Sequence, residues 1–386
     1  MRRITPRFVA TVALFLLVFG ALNLYVGWNL LLLVHVVWPG FPPVVFWPLF
    51  FLVVFAYVIG RAPIRPRALG RGIKVLGAHF IGLFEYLLLT LPLADLAGWV
   101  LIRAGVERAA AIGWVGGITA ALLLGLFAIG SRNAWRPVVR TYDLHVAKPA
   151  GALRRLDILI ASDLHLGNIV GNRHLDRLLA AAESLKPDLI LLAGDVIDDV
   201  IEPFVRNRMS ERLGRLRAKY GTYAVLGNHE YYGGHVEEYV QRMKEIDIPV
   251  LQDEGVTIDG SFHVVGRKDK TAESMDPAGR RSIAELLSDF DQRLPTIVMD
   301  HQPQQYAAAE AAGADLLVSG HTHRGQFAPN HLITRRLFEL DWGYLRKGNM
   351  HALVSSGFGT WGPPVRLASR SELLHVMLQF DGDAEK

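Results

Sequence analysis

Five short clusters of Asp, Asn and His stand out in this sequence because together they could bind metal. In chain order they are Asp163-Leu-His165, Gly194-Asp195-Val-Ile-Asp198, Gly227-Asn228-His229-Glu230, Asp300-His301-Gln-Pro303 and Gly320-His321-Thr-His323. Carboxylate and amide oxygens mixed with imidazoles suit Mn, Fe or Zn rather than Ca or a thiolate-loving metal. The chain has no cysteine, which excludes disulfides, Cys-zinc sites and thiol nucleophiles. A donor set of this kind can hold two divalent ions about 3.5–4 Å apart, with a hydroxide between them and phosphoryl oxygens clamped on both. No protein nucleophile is then needed, and a histidine near the leaving oxygen can stabilise charge or donate a proton. Each cluster alone is weak, since a single Asp-x-His is noise and Gly-Asp is usually a turn. Five in one chain, each behind an apolar run, are a strong signal.

Those apolar runs are the elements that must position the chemistry. Leu156–Ala161, Leu189–Leu192, Thr222–Leu226, Thr296–Met299 and Leu316–Ser319 read as buried strands. Amphipathic stretches between them, His174–Leu185, Ser210–Lys219, Val236–Lys244, Arg281–Phe290 and Gln304–Ala312, read as helices. Val256–Ile258 and Phe262–Val265, joined by Asp259-Gly260, read as a hairpin. Alternating strands and helices predict a layered α/β domain, in its simplest form doubly wound. Sites in such sheets lie at the carboxyl ends of strands, so the five clusters converge on one edge.

Before residue 131 the sequence has another character. Four apolar stretches, Phe8 to about Val26, Pro43 to Ile59, Val75 to about Leu96 and Ala111 to Ile129, approach the roughly 20 residues a bilayer core needs. Hydrophobic residues make up 51% of the chain and charged ones 20%, a balance that places part of it in lipid. Six of the eight tryptophans fall at or before residue 135, mostly near segment ends, as an interfacial belt requires. Arg2 and Arg3 would suit a removable signal peptide, but no small-x-small cleavage site follows. The reading is four transmembrane helices, with Asn29–Trp38 prolonging the first or re-entering the membrane. Glu85, inside the third stretch, is expected to hydrogen-bond within the bundle.

Basic residues in the short loops set the orientation. Arg2, Arg3, Arg7, Arg61, Arg65, Arg67, Arg71, Lys74, Arg132, Arg136 and Arg140 fall on one side, and only Arg103 and Arg108 on the other. Positive-inside therefore puts both termini and the catalytic domain in the cytoplasm. The organisation expected is a transmembrane domain over 1–131, a linker and first strand over 132–155, a catalytic domain over 156–380 and a tail over 381–386.

The stretch from about Asp157 to Phe380 resembles the calcineurin-like metallophosphoesterases, whose signature runs D-x-H, G-D-x-x-D, G-N-H-[DE], H, G-H-x-H. It looks closest to their membrane-associated branch, which includes transmembrane proteins with a metallophosphoesterase domain and bacterial lipid-linked phosphoesterases. Asp163-Leu-His165-Leu-Gly, Gly227-Asn-His-Glu, Asp300-His-Gln-Pro303 and Gly357-Phe-Gly-Thr-Trp-Gly-Pro-Pro-Val-Arg366 carry that flavour. The resemblance implies a mixed β-sandwich flanked by helices, in place of the simpler doubly wound sheet. It implies one metal on Asp163, His165 and His323, a second on Asn228, His301 and His321, and Asp195 bridging them. His229 would face the leaving group without binding metal, with Asp198 orienting it. Where this branch has Gly-His-Thr-His-Gly, residue 324 is Arg. Arg324 is either a neutral surface change or a cation that grips substrate phosphate.

The function expected is hydrolysis of a phosphodiester, phosphomonoester or pyrophosphate bond, on a small molecule or a lipid-linked substrate, beside a bilayer. The alternative is a transmembrane sensor or scaffold whose phosphoesterase-like head binds without turnover. A net charge of +4 with no extended basic run argues against nucleic acid as partner. The nine histidines outside the clusters, His35, His79, His145, His174, His235, His263, His331, His351 and His375, read as structural. Arg335 and Arg336, near Arg346 and Lys347, read as a solvated face or as a contact for anionic lipid.

Overall fold

The computed structural model describes residues 5–62 and 64–381; Arg2, Arg3 and residues 382–386 of the expected tail lie outside the described residues. The chain forms two compact units, Met1–Ala128 and Ile129–Lys386.

The first unit is helical: α1 (Pro6–Val37), α2 (Pro43–Val54), α3 (Ala56–Ile59), α4 (Arg67–Arg103) and most of α5 (Arg108–Trp135). Thr5 caps α1, its Oγ1 accepting from the Phe8 N–H, and the helix runs on through Asn29–Val37, so that stretch is a continuation and not a separate element. Among the described residues, α1, α4 and α5 are long and apolar enough to cross a membrane. At 1.5 Å rise per residue the shortest of them reaches about 40 Å, beyond the roughly 30 Å of a hydrocarbon core. Where the sequence predicts one helix over 43–59, the backbone leaves helical geometry at Phe55 and divides the stretch into α2 and α3. Phe15, Leu17, Trp114 and Leu124 are all more than 60% exposed, as side chains meant for lipid are. Glu85 is half-buried on α4.

The second unit holds twelve strands among the described residues. They are β1 (Val138–Pro149), β2 (Arg155–Ala161), β3 (Leu189–Ala193), β4 (Thr222–Val225), β5 (Val250–Leu251) and β6 (Glu254–Ile258), then β7 (Phe262–Gly266), β8 (Thr296–Met299), β9 (Leu316–Ser319), β10 (Gly343–Lys347), β11 (Met350–Val354) and β12 (Glu372–Asp381). One mixed sheet has the order β1-β12-β2-β3-β4-β5, the other β10-β11-β9-β8-β7-β6. Side chains alternate across them, as a period of two requires. Leu156, Ile158 and Ile160 of β2 and Leu316 and Val318 of β9 meet between the sheets, whereas Leu159 and Leu317 face the outer cores.

Helices cover those outer faces. Against the first sheet lie α6 (Asn172–Leu185), α7 (Glu202–Arg206), α8 (Met209–Leu213), α9 (Asn228–Gly233) and α10 (Val236–Lys244). Against the second sheet lie α12 (Ile283–Leu287) and α13 (Tyr306–Ala311), while α11 (Ala272–Met275) joins the first core through Ala272 and α14 (His331–Leu337) buries none of its residues. The sandwich of two mixed sheets thus replaces the single doubly wound sheet. Strands β2, β3 and β4 run parallel in one sheet, β7, β8 and β9 in the other. The loops that leave β2, β3, β4, β8 and β9 carry the five clusters.

Candidate metal centre

The loops are stitched together before any side chain acts. The Asp163 N–H donates to Gly194 O at 3.0 Å and the His165 N–H to Asp195 O at 3.0 Å, which binds the loop after β2 to the loop after β3. Buried Glu230 gathers the third: its carboxylate accepts from the N–H groups of Gly227 (2.7 Å), Ile197 (3.0 Å) and Asp195 (3.2 Å). Asp163, His165, Asp195, His321 and His323 all have left-handed φ, between 46° and 72°. Such a conformation costs a non-glycine residue on the order of 1 kcal/mol or more, and it concentrates where function requires a fixed direction. Two glycines in the motifs are there for space. A Cβ on Gly227 would stand 2.1 Å from Asp195 Oδ1, and one on Gly194, whose φ is +88°, 2.5 Å from His301 Nδ1.

Seven side chains converge as two groups that share one carboxylate. Ligand atoms of Asp163, His165 and His323 lie within 4.8 Å of one another, and so do those of Asp195, His301 and His321. Asp195 Oδ2 stands 3.1 Å from His301 Nε2 and 4.0 Å from His165 Nε2, so it faces both groups. The Nε2 atoms of His165 and His323 are 2.9 Å apart, with Asp163 Oδ1 3.4 Å from the latter. Asn228 Oδ1 meets His321 Nδ1 at 2.8 Å and joins the second group. His301 Nδ1–H donates to Ala193 O at 2.8 Å, since a carbonyl can only accept, and this turns Nε2 toward Asp195 Oδ2.

Burial shapes the charges here. It pushes the Asp163 carboxyl up to about 6 and lowers His165 to about 3 and His321 to about 4. Burial opposes the charge of Asp195 too, but His301, His229 and His165 hold it well below the usual carboxylate range. Burial thus keeps His165 and His321 neutral, as metal ligands must be, whereas at His301 burial is outweighed by Asp195, which raises it well above the usual histidine range, so a cation bound there would displace that proton. The donor set fits two such ions: Asp163, His165 and His323 for one, Asn228, His301 and His321 for the other, with Asp195 between.

His229 is placed beside the centre, its ring 4.6 Å from that of His165 and its N–H donating to Asp195 Oδ1 at 2.9 Å. Here the sequence reading needs correction. The carboxylate on His229 Nδ1 is Asp199, at 2.7 Å, rather than Asp198, which lies slightly further out in the same group. Burial would lower His229, but Asp199 and Asp195 raise it to about 9. The guanidinium of Arg324 rests 4.0 Å over the Trp342 ring, next to the loop of His321 and His323. His174, His263 and His351 are pinned elsewhere, to Phe358 O, Asp291 O and His145 O.

Three contributors were not given roles from sequence: Asp199, Glu230 and Arg366. Fully buried Arg366 donates to His323 Nδ1 at 3.1 Å and to the carbonyls of Ser356 and Gly357. Its signal was present as the last residue of the Gly357–Arg366 motif, but nothing in the motif says that it reaches a ligand.

Residues 156–325 match the calcineurin-like phosphoesterase family. The chain is 31% identical over 268 residues to the bovine "Transmembrane protein with metallophosphoesterase domain", covering 66% of this chain and 60% of that protein. It is 30% identical over 259 residues to an uncharacterized metallophosphoesterase of Helicobacter pylori, covering 66% of this chain and 68% of that one. A similar protein of Aquifex aeolicus, also an uncharacterized metallophosphoesterase, is 30% identical, over 64% of this chain and 93% of its own. A solved dimetal phosphatase from Danio rerio aligns with 60% of this chain and all of its own at a TM-score of 0.34 and 11% identity. The chain belongs to the calcineurin-like metallophosphoesterases.

Proposed function

We propose that this chain is a membrane-anchored hydrolase of phosphate esters or anhydrides that works with two divalent metal ions. The observation that carries the reading is Asp195, buried between two groups of ligand atoms and facing both. Bound there, two divalent ions supply Lewis acidity and a water acidic enough to attack phosphorus at neutral pH. The chain's own residues do the rest. Asp163, His165 and His323 would hold one ion and Asn228, His301 and His321 the other, with Asp195 facing both. His229, kept protonated by Asp199, offers Nε2–H to the leaving oxygen. Arg324, if it swings off Trp342, supplies a cation for substrate phosphate. The substrate class is a phosphodiester, phosphomonoester or pyrophosphate, in solution or carried on a lipid. Four crossings, with α2 and α3 together making the second, put the metal centre on the cytoplasmic side.

The test uses the purified full-length protein, stripped of metal and reloaded with Mn²⁺, against soluble phosphodiesters, phosphomonoesters and nucleotide-lipid pyrophosphates. Two ions per chain and turnover abolished by chelator are expected. Two bound ions with no turnover of any class would instead identify a sensor head.

A further inference from the structure

The rim of the metal centre presents apolar side chains for which the catalytic unit itself has no use. Helix α14 begins six residues after the 3₁₀ turn His323–Gly325. It is fixed there: Thr334 Oγ1 donates to Asp341 Oδ2 at 2.7 Å, and Thr322 Oγ1, between two ligand histidines, donates to Asp341 O at 2.6 Å. Phe338, just past its end, lies 6.2 Å from the His321 ring. None of the seven residues of α14 is buried; Leu332, Ile333 and Leu337 are 50%, 56% and 71% exposed. Arg335 and Arg336 stand exposed among them.

Trp361 adds to this rim from another loop. Its backbone is held in place by the buried amide of Gln326, which accepts from the Trp361 N–H at 3.1 Å and donates to Trp361 O at 2.9 Å and Pro363 O at 3.1 Å. The indole is nevertheless 58% exposed. Exposed apolar side chains gathered on one rim, rather than scattered singly, mark a contact surface.

What covers this rim is indicated by charge and by attachment. Arginines among leucines, with a tryptophan whose ring is apolar and whose N–H is polar, match the headgroup layer of an anionic bilayer. The loop of Trp361 is also tied to the end of α5, a helix long and apolar enough to cross a membrane. Asn133 Nδ2 donates to Arg366 O at 3.1 Å, the Arg366 N–H to Gly130 O at 2.9 Å and the Ser371 N–H to Asn133 O at 3.0 Å.

We infer that Leu332, Ile333, Leu337 and Trp361, with Arg335 and Arg336, form a lip that seats on an anionic bilayer surface and opens the metal centre to lipid-borne phosphate. The seating rests on geometry and charge; the delivery of lipid phosphate rests on the hydrolase reading above.

The absence of cysteine makes the test direct. Ile333→Cys, Leu337→Cys and Trp361→Cys are made singly in the full chain, spin-labelled and placed in nanodiscs of phosphatidylcholine mixed with phosphatidylglycerol. Arg293→Cys, at the opposite edge of the sheet before β8 and 88% exposed, is the control. Collisions with oxygen should outweigh those with a water-soluble nickel chelate at 333, 337 and 361, and the reverse should hold at 293. Reversing Arg335 and Arg336 to Glu should return the three labels to the state of the control. Three labels as open to the chelate as the one at 293 would overturn the seating, and protection that survives the charge reversal would overturn the anionic surface. Because the readout needs no turnover, seating without hydrolysis of any phosphoester would count against the hydrolase reading alone.

Discussion

Asp195 faces both ligand groups, so Asp195→Ala should be the most damaging ligand substitution, with both ions lost on metal analysis; a variant that kept them would refute the bridge. His229 donates its backbone N–H, not its ring, to Asp195. His229→Ala should therefore keep its ions and lose about 10²–10⁴-fold in rate. Substrates with good leaving groups should lose least. The pH dependence follows from Asp199, whose carboxylate helps hold His229 at about 9, above the ordinary histidine value, so the ring stays protonated through neutrality. Asp199→Asn removes that support and should move the alkaline limb of kcat/KM to lower pH, whereas Asp198→Asn should move it less. Profiles that ranked the two the other way would return the orienting role to Asp198. The seven side chains that converge here were all named from sequence, on family motifs carried over position by position. Which of two adjacent acids turns toward His229 could not be read there, because it depends on a left-handed backbone at Asp199, φ 45°, that side-chain chemistry does not announce.

Elements position these groups through close approach, and the glycines measure how close. Gly227→Ala would drive its Cβ into Asp195 Oδ1 and the Asp195 N–H, while Gly171→Ala at the start of α6 meets nothing within 4 Å. The first should lose metal affinity by more than tenfold while far-UV circular dichroism stays native; the second should do neither. Equal affinity in both would mean that the loops yield and that spacing does not set the site. Strands β8 and β9 were legible to the residue, because three apolar residues with one hydroxyl residue, bounded by Pro, Asp and Gly, are too short for a helix. The helix expected over Ser210–Lys219 shrinks to Met209–Leu213, since Gly214 starts a turn that the amphipathic pattern alone does not weigh. Two sheets in place of one were not visible from strand order either. Pairing of β12 beside β1 and β2, more than two hundred residues apart in sequence, is a long-range fact that local pattern does not carry.

At the scale of the whole molecule, the side of the bilayer that the metal centre occupies depends on the parity of crossings. Helix α1 runs unbroken from Pro6 to Val37, so Asn29–Trp38 adds no crossing of its own. The count then depends on α2 and α3. Alone, α2 reaches about 18 Å at 1.5 Å per residue, short of the hydrocarbon core, and it needs α3 beyond the break at Phe55 to complete a passage. Charge supplies the independent argument: Arg61, Arg65, Arg67, Arg71 and Lys74 follow that passage, whereas the segment before it, Trp38–Pro42, has no Lys or Arg. Were α2 and α3 only to dip and return, those five cations would face outward and the catalytic unit with them. Four crossings therefore predict that a cysteine at Phe41 reacts with a membrane-impermeant maleimide in intact cells, that one at Ala62 reacts only after the membrane is opened, and that a C-terminal reporter active only in the cytoplasm gives signal. Labelling of both cysteines from outside, with a silent cytoplasmic reporter, would make the passage a re-entrant loop and place the phosphoesterase on the outer face, its metal ligands unchanged.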